Sequence, residues 1–178
     1  LCTQAVRIVE SYSLDDLAHA RKLIKKALEL DETDSSAWTN LGWVYWEESV
    51  FHWSSDSEES MDKAFDAVQK AIQADENNPD CYSLLGNIFM VRDDYDQAIA
   101  LCEKAVEIAP NNSFSVALLE NVLVDNGRIK EGIQKMKRAI RLSPFPPGWY
   151  FNLIGVAYHL NGENEIAIPA IEHAIQRD

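Results

Sequence analysis

The feature that most constrains this chain is a phrase that keeps returning. Lys26-Ala27-Leu28-Glu29-Leu30-Asp31, Lys70-Ala71-Ile72-Gln73-Ala74-Asp75, Lys104-Ala105-Val106-Glu107-Ile108-Ala109-Pro110 and Arg138-Ala139-Ile140-Arg141-Leu142-Ser143-Pro144 each carry a basic residue, an alanine, alternating apolar residues and a helix stop. Their alanines are 44, 34 and 34 residues apart, and Ala174 follows Ala139 by 35. A fixed period of this length means one supersecondary unit stacked on copies of itself, because no single unit can bury its apolar face alone. Five copies result, at 1–34, 35–78, 79–112, 113–147 and 148–178. The second carries a ten-residue insertion near 46–61, and the fourth has one extra residue.

Each copy divides into two amphipathic helices, A and B. Trp38, Leu41, Gly42 and Tyr45 fall at i, i+3, i+4 and i+7, as do Tyr82, Leu85, Gly86 and Phe89, so each set forms one helical stripe. In helix B, Ala64, Val68 and Ala71, or Ala98, Cys102 and Ala105, are small enough to let two backbones approach closely. Asn77-Asn78-Pro79, Pro110-Asn111-Asn112 and Pro144 punctuate the copies, while Gly127 and Gly162 mark the turn between A and B. No strand signal competes.

The pattern W-x2-L-G-x2-Y, then A-x3-F, then Pro at a 34-residue period resembles the tetratricopeptide repeat (TPR). The last copy keeps Phe151, Ile154, Gly155, Tyr158, Ala167, Ile171 and Ala174. The resemblance implies an all-α fold: a right-handed α-solenoid of about five helix-turn-helix repeats, with A helices lining a concave groove and B helices outside. A narrower likeness is to the TPR regions that follow the catalytic domain in many bacterial adenylate/guanylate cyclases. It rests on Ala20-Arg21-Lys22 leading to Lys26-Ala27, on Trp38 to Tyr45, on the insertion Phe51-His52-Trp53-Ser54 to Ser60, and on Pro144-Phe145-Pro146-Pro147-Gly148-Trp149-Tyr150. It implies a regulatory part of a larger bacterial signalling protein, and a chain that does not begin with Met fits a piece of a longer polypeptide. A free-standing TPR adaptor in secretion or envelope assembly is the alternative.

Charge narrows the partners. With 29 acidic against 16 basic residues the net charge is −13, which repels nucleic-acid phosphate and anionic lipid. No apolar run approaches the roughly 20 residues of a membrane span, and Leu1-Cys2-Thr3-Gln4 resembles no signal peptide, so a cytoplasmic location is expected. Cys2, Cys81 and Cys102 are odd in number and lack C-x-x-C spacing, which favours reduced, packed thiols. The charge is unevenly spread. Residues 31–80 hold 13 acidic residues against Lys63 and Lys70, whereas Arg128, Lys130, Lys135, Lys137, Arg138 and Arg141 face only Glu131. These two segments are complementary enough to support self-association that weakens as salt screens it.

Three local departures are informative. Helix A of the first copy offers only Ala5, Ile8, Val9 and Tyr12 and reads as a cap, a frayed edge or the docking site of a preceding segment. In the fourth copy Glu120 replaces the A-helix glycine and Gly132 replaces a B-helix alanine, so Gly132 is expected to make room for the Glu120 stem. Pro169 interrupts the last B helix at about 3 kcal/mol unless the helix kinks. In the insertion, Trp46, Val50 and Trp53 keep helical spacing, which favours an extension of helix A with its aromatics folded back over the alternative, a ligand-binding loop. Ser55 with Glu58 reads as a capping box opening helix B.

No constellation carries chemistry, so the segment is read as no enzyme, with no cofactor, no metal and no small-molecule substrate. His19, His52, His159 and His173 form no H-E-x-x-H, and no phosphate-binding glycine loop occurs. Asp93, Asp94 and Asp96 lack the glycine and terminal glutamate of a calcium loop and read as a solvated turn. Binding is the better role, through a protein or peptide partner. The residues expected to line the groove are Tyr12; Thr39, Trp43 and Trp46; Ser83, Asn87 and Met90; Ala117, Asn121 and Val124; Asn152, Val156 and His159. Trp43, Trp46 and Met90 would anchor an apolar peptide, with Asn87 and Asn121 bonding its backbone. This set contains no inward Lys or Arg, so it departs from the carboxylate clamp of chaperone-binding TPR proteins.

Overall fold

The computed structural model describes residues 14–177, in which nine helices and no strand occur. They are α1 (Leu14–Leu30), α2 (Ser35–Val50), α3 (Ser57–Ala74), α4 (Pro79–Val91), α5 (Tyr95–Ile108), α6 (Ser113–Asp125), α7 (Ile129–Leu142), α8 (Gly148–Leu160) and α9 (Asn164–Ile175). The helix A expected in the first copy, with Tyr12, lies outside the described residues. Two compact units, Leu1–Ile88 and Phe89–Asp178, meet within α4.

Side-chain caps start these helices where the backbone would otherwise leave donors orphaned. Asp34 accepts from Ala37 N at the head of α2, and the Asn112 side chain accepts from Phe114 N and Ser115 N at the head of α6. The A-to-B turns share one left-handed residue. Gly127 (φ 78°) and Gly162 (φ 82°) occupy it in the last two copies, and Asp93 (φ 60°) fills it 34 residues before Gly127. Asp94 then caps α5 by accepting from Gln97 N. The acidic cluster at 93–96 is therefore turn and cap chemistry, since Asp tolerates left-handed backbone better than most residues.

In the first unit, Leu17, Ala20, Ile24 and Leu28 of α1 bury against Ala37, Leu41 and Val44 of α2. Helix α2 has 16 residues where α4, α6 and α8 have 13, so the insertion begins as extra helical turn. Trp53 then folds back onto the same core, and the chain reverses through His52 at φ 54°. The cap of α3 differs from expectation by one residue. Asp56, not Ser55, is the N-cap and accepts from Glu59 N, at 2.9 Å. Ser54 sets it in place by bonding both Asp56 N and Asp56 O.

A buried polar knot joins the second and third copies. Ser35 Oγ donates to Ala71 O at 2.9 Å and accepts from Asn78 Nδ2 at 2.9 Å, while Thr39 Oγ1 sits 3.2 Å from Cys81 Sγ. Every polar group in it is satisfied, which is what lets it be buried.

In the second unit, Ile99 and Cys102 of α5 pack on Leu119, Val122 and Leu123 of α6. One step along, Ile133, Met136 and Ala139 of α7 pack on Tyr150, Ile154, Ala157 and Tyr158 of α8. The same B-to-A interface is thus used twice. Within the α6–α7 hairpin the small residue has changed sides. A Cβ on Gly132 would lie 2.5 Å from Val124 Cγ2, 3.2 Å from the Glu120 carbonyl oxygen and 3.5 Å from Glu120 Cγ. The gap at Gly132 therefore serves the Glu120 stem, as expected, and Val124 even more closely. Helix α9 continues through Pro169 to Ile175. Pro169 and Glu165 are both exposed, so water can satisfy the carbonyl that proline leaves without a donor.

Candidate partner-binding faces

The A helices were expected to offer a polar and aromatic lining, and the structure sorts that lining into open and closed positions. In the first unit Thr39 is buried with its hydroxyl on Ser35 O at 2.8 Å. Ser83 and Asn87 are buried too, and Asn87 Nδ2 donates to Ser83 O at 2.9 Å. At 1% exposure the Asn87 amide is out of reach of a peptide backbone on that face. Trp43 and Trp46 remain partly exposed and meet edge to face, their centroids 5.4 Å apart.

The surroundings of this pair are electrostatically unusual. Glu47 Oε2 and Trp46 Nε1 are buried without a hydrogen-bond partner, and burial pushes the Glu47 carboxyl up to about 8. Its neighbour behaves differently. Glu48 takes a 2.7 Å ion pair from Arg21 of α1, which ties the first copy to the second. Tryptophan faces beside a neutral acid suit apolar and hydrogen-bonding groups better than a bare carboxylate.

In the second unit, Val124 and Ala117 belong to the core around Met136 and Tyr150 and line no open face. Met90 and Asn121 are partly exposed and touch, with Asn121 Nδ2 3.5 Å from Met90 Sδ. Asn152, Val156 and His159 are exposed along α8. His159 Nδ1 is 2.6 Å from Asn164 Oδ1, which places its ring across the α8–α9 turn. Two groups that sequence reasoning passed over are the Glu47 carboxyl and the Arg21–Glu48 pair.

Among the described residues no group of three or more His, Cys, Asp or Glu is placed to hold a metal ion. Cys81 and Cys102 are free and buried, and burial pushes the Cys102 thiol up to about 12, far from the thiolate a nucleophile needs. Among the described residues no helix is long and apolar enough to cross a membrane.

Comparison with known proteins agrees with the hairpin repeat. Residues 79–112 match the tetratricopeptide repeat model, so the third copy is a tetratricopeptide repeat. No curated protein matches in sequence. Among solved structures, a thermophilic TPR protein from Thermus thermophilus superposes with a TM-score of 0.77 at 14% identity, covering 99% of this chain and 91% of its own. YrrB, described as a TPR protein with an unusual peptide-binding site, gives 0.56 at 24% identity over 99% of this chain and 84% of its own. MamA gives 0.57 at 20% identity over 92% and 89%. These likenesses establish an all-α repeat fold.

Proposed function

We propose that this chain is a non-catalytic interaction scaffold of tetratricopeptide type, working in the cytoplasm and taking a peptide or protein partner through the A-helix face that carries Trp43 and Trp46. The observation that carries the reading is that pair: two large aromatics left partly open on α2, in edge-to-face contact at 5.4 Å. Aromatic side chains dominate interface energetics because they bury large area with few rotatable bonds. The peptide-binding description of YrrB, a protein of the same fold, supports the same direction. The test is to select apolar peptides against the chain by display and measure their affinity for Trp43→Ala. A loss of about tenfold or more without a change in melting temperature is expected. Unchanged affinity would show that this face is the wrong surface.

We infer further that the array is the regulatory region of a larger bacterial signalling protein such as an adenylate/guanylate cyclase. Support comes from the insertion Phe51 to Ser60 and the bridge Pro144 to Tyr150, which have the style of cyclase-associated repeats. The reading frame tests this directly. An upstream catalytic domain supports it, and an upstream signal sequence favours the secretion or envelope adaptor.

A further inference from the structure

The Trp43–Trp46 face carries two polar atoms that the fold leaves unsatisfied. Trp43, Trp46 and Glu47 fall at i, i+3 and i+4 of α2, which puts them on one stripe of the helix. The two indole planes meet at 79°, so the rings form a corner rather than a flat wall. Beside that corner Trp46 Nε1 and Glu47 Oε2 are buried with no hydrogen-bond partner. The indole N–H needs an acceptor and the carboxyl oxygen a donor, and each bond left unmade costs on the order of 1–3 kcal/mol. Orphans of this kind in a folded protein call for a group that completes them.

Charge identifies the missing group. Helix α2 contains Glu47 and Glu48 and no Lys or Arg, and residues 31–80 hold 13 acidic residues against Lys63 and Lys70. The cations around α2 are engaged elsewhere: Arg21 on Glu48, Lys25 on the Tyr45 ring, Lys63 on Glu59 and Lys70 on the Trp38 ring. Two of these show how the unit receives an ammonium, over an aromatic ring at 5.9 and 4.4 Å from its centre. At the Trp43–Trp46 corner two rings stand beside a carboxyl that forms no ion pair with any described residue. Burial keeps that carboxyl neutral while it is alone. An ammonium at Oε2 supplies both the donor and the opposite charge, and the carboxyl proton passes to solvent as it arrives. Its aliphatic stem lies on the indoles. Trp46 Nε1 is left for a carbonyl, which a peptide backbone brings and a free amine does not. Water would fill both bonds but would leave the attraction of the rings and the carboxyl for a cation unanswered.

We propose that the Trp43–Trp46–Glu47 corner of α2 takes a lysine of a peptide partner, its ammonium donating to Glu47 Oε2 and a neighbouring backbone carbonyl accepting from Trp46 Nε1. This rests on the Trp43–Trp46 face being the binding surface and adds what that face selects. The probe is an end-capped Ser-Ala-Leu-Lys-Leu-Ala-Ser peptide and its twin with norleucine in place of lysine. Each is titrated to millimolar concentration into the 15N-tryptophan-labelled chain and read from the indole N–H signals, with Trp46 assigned through Trp46→Phe. The Trp46 signal is expected to move downfield and saturate, with a Kd about fivefold or more lower for the lysine peptide. Glu47→Gln keeps the shape and removes the charge, so it should bring the two peptides within about twofold of each other. The proposal is overturned if the norleucine twin binds the parent as tightly, or if the lysine preference survives Glu47→Gln. Either result leaves the face standing as an apolar site. If neither peptide moves the Trp43 or Trp46 signal, the face itself is wrong and this inference falls with it. Choline matching the lysine peptide would overturn the proposal in favour of a small cation. Sedimentation showing a dimer abolished by Glu47→Gln would overturn it in favour of a second copy.

Discussion

Replacing Glu120 by glutamine should convert a pH-sensitive unit into a less sensitive one. The Glu120 residue is 1% exposed, neither carboxyl oxygen has a hydrogen-bond partner, and burial, with a smaller push from Asp125, raises its pKa from 4.5 to about 8. The folded chain therefore keeps a proton that the unfolded chain releases. Stability owed to the neutral acid is complete below the unfolded value of 4.5 and is lost as pH rises toward about 8. At ~1.4 kcal/mol per unit the whole shift corresponds to about 5 kcal/mol. Water penetration and local relaxation around a buried carboxylate offset part of this, which leaves an expectation on the order of 2–3 kcal/mol. Glutamine keeps the shape and cannot ionise. Glu120→Gln should thus lie within about 1 kcal/mol of the parent at pH 5 and be more stable by on the order of 2–3 kcal/mol at pH 8. The assay is urea unfolding at several pH values, followed by 19F NMR of 5-fluorotryptophan, because Trp149 is the one tryptophan beyond residue 88 and reports on the second unit alone. Glu47, raised to about 8 in the first unit, leaves a residual pH dependence in the other four signals. Identical pH profiles at Trp149 for parent and variant would refute the reasoning, since they would mean that Glu120 is ionised and hydrated in the folded state.

Two further outcomes follow from the same packing. Gly132→Leu forces a Cβ to 2.5 Å from the stiff Val124 side chain and 3.2 Å from the Glu120 carbonyl, so overpacking of about 3 kcal/mol and a Tm lower by roughly 6–12 °C are expected. Calorimetry showing an unchanged Tm would contradict it. Cys81 and Cys102 should resist Ellman's reagent at pH 8 and react only after denaturant is added, as mapped by mass spectrometry, and rapid labelling of either in buffer would mean that the unit opens there.

Helix identity and pairing were written plainly in the chain, and so was the exchange of Glu120 for Gly132. The alternation of apolar and small residues, the glycines at 127 and 162 and the asparagine cap at 112 act within a few residues of themselves. The cap of α3 was misplaced by one because Ser55 and Asp56 are both good acceptors. Only the bracing of Asp56 by Ser54 decides between them. The A-helix lining was less legible. Thr39, Ser83, Asn87 and Val124 have the spacing of an open face, yet all four are buried.

What the sequence determined by itself is therefore the repeating unit: its length, its two helices, its turns and the side of each helix that must leave water, because periodicity and capping are local properties of the backbone. What only the tertiary structure decided is which of those faces stays open. Whether Ile133 meets water depends on the helix that the next repeat lays over it, and whether Glu120 rests neutral depends on what packs around its carboxyl; no local pattern encodes that cover.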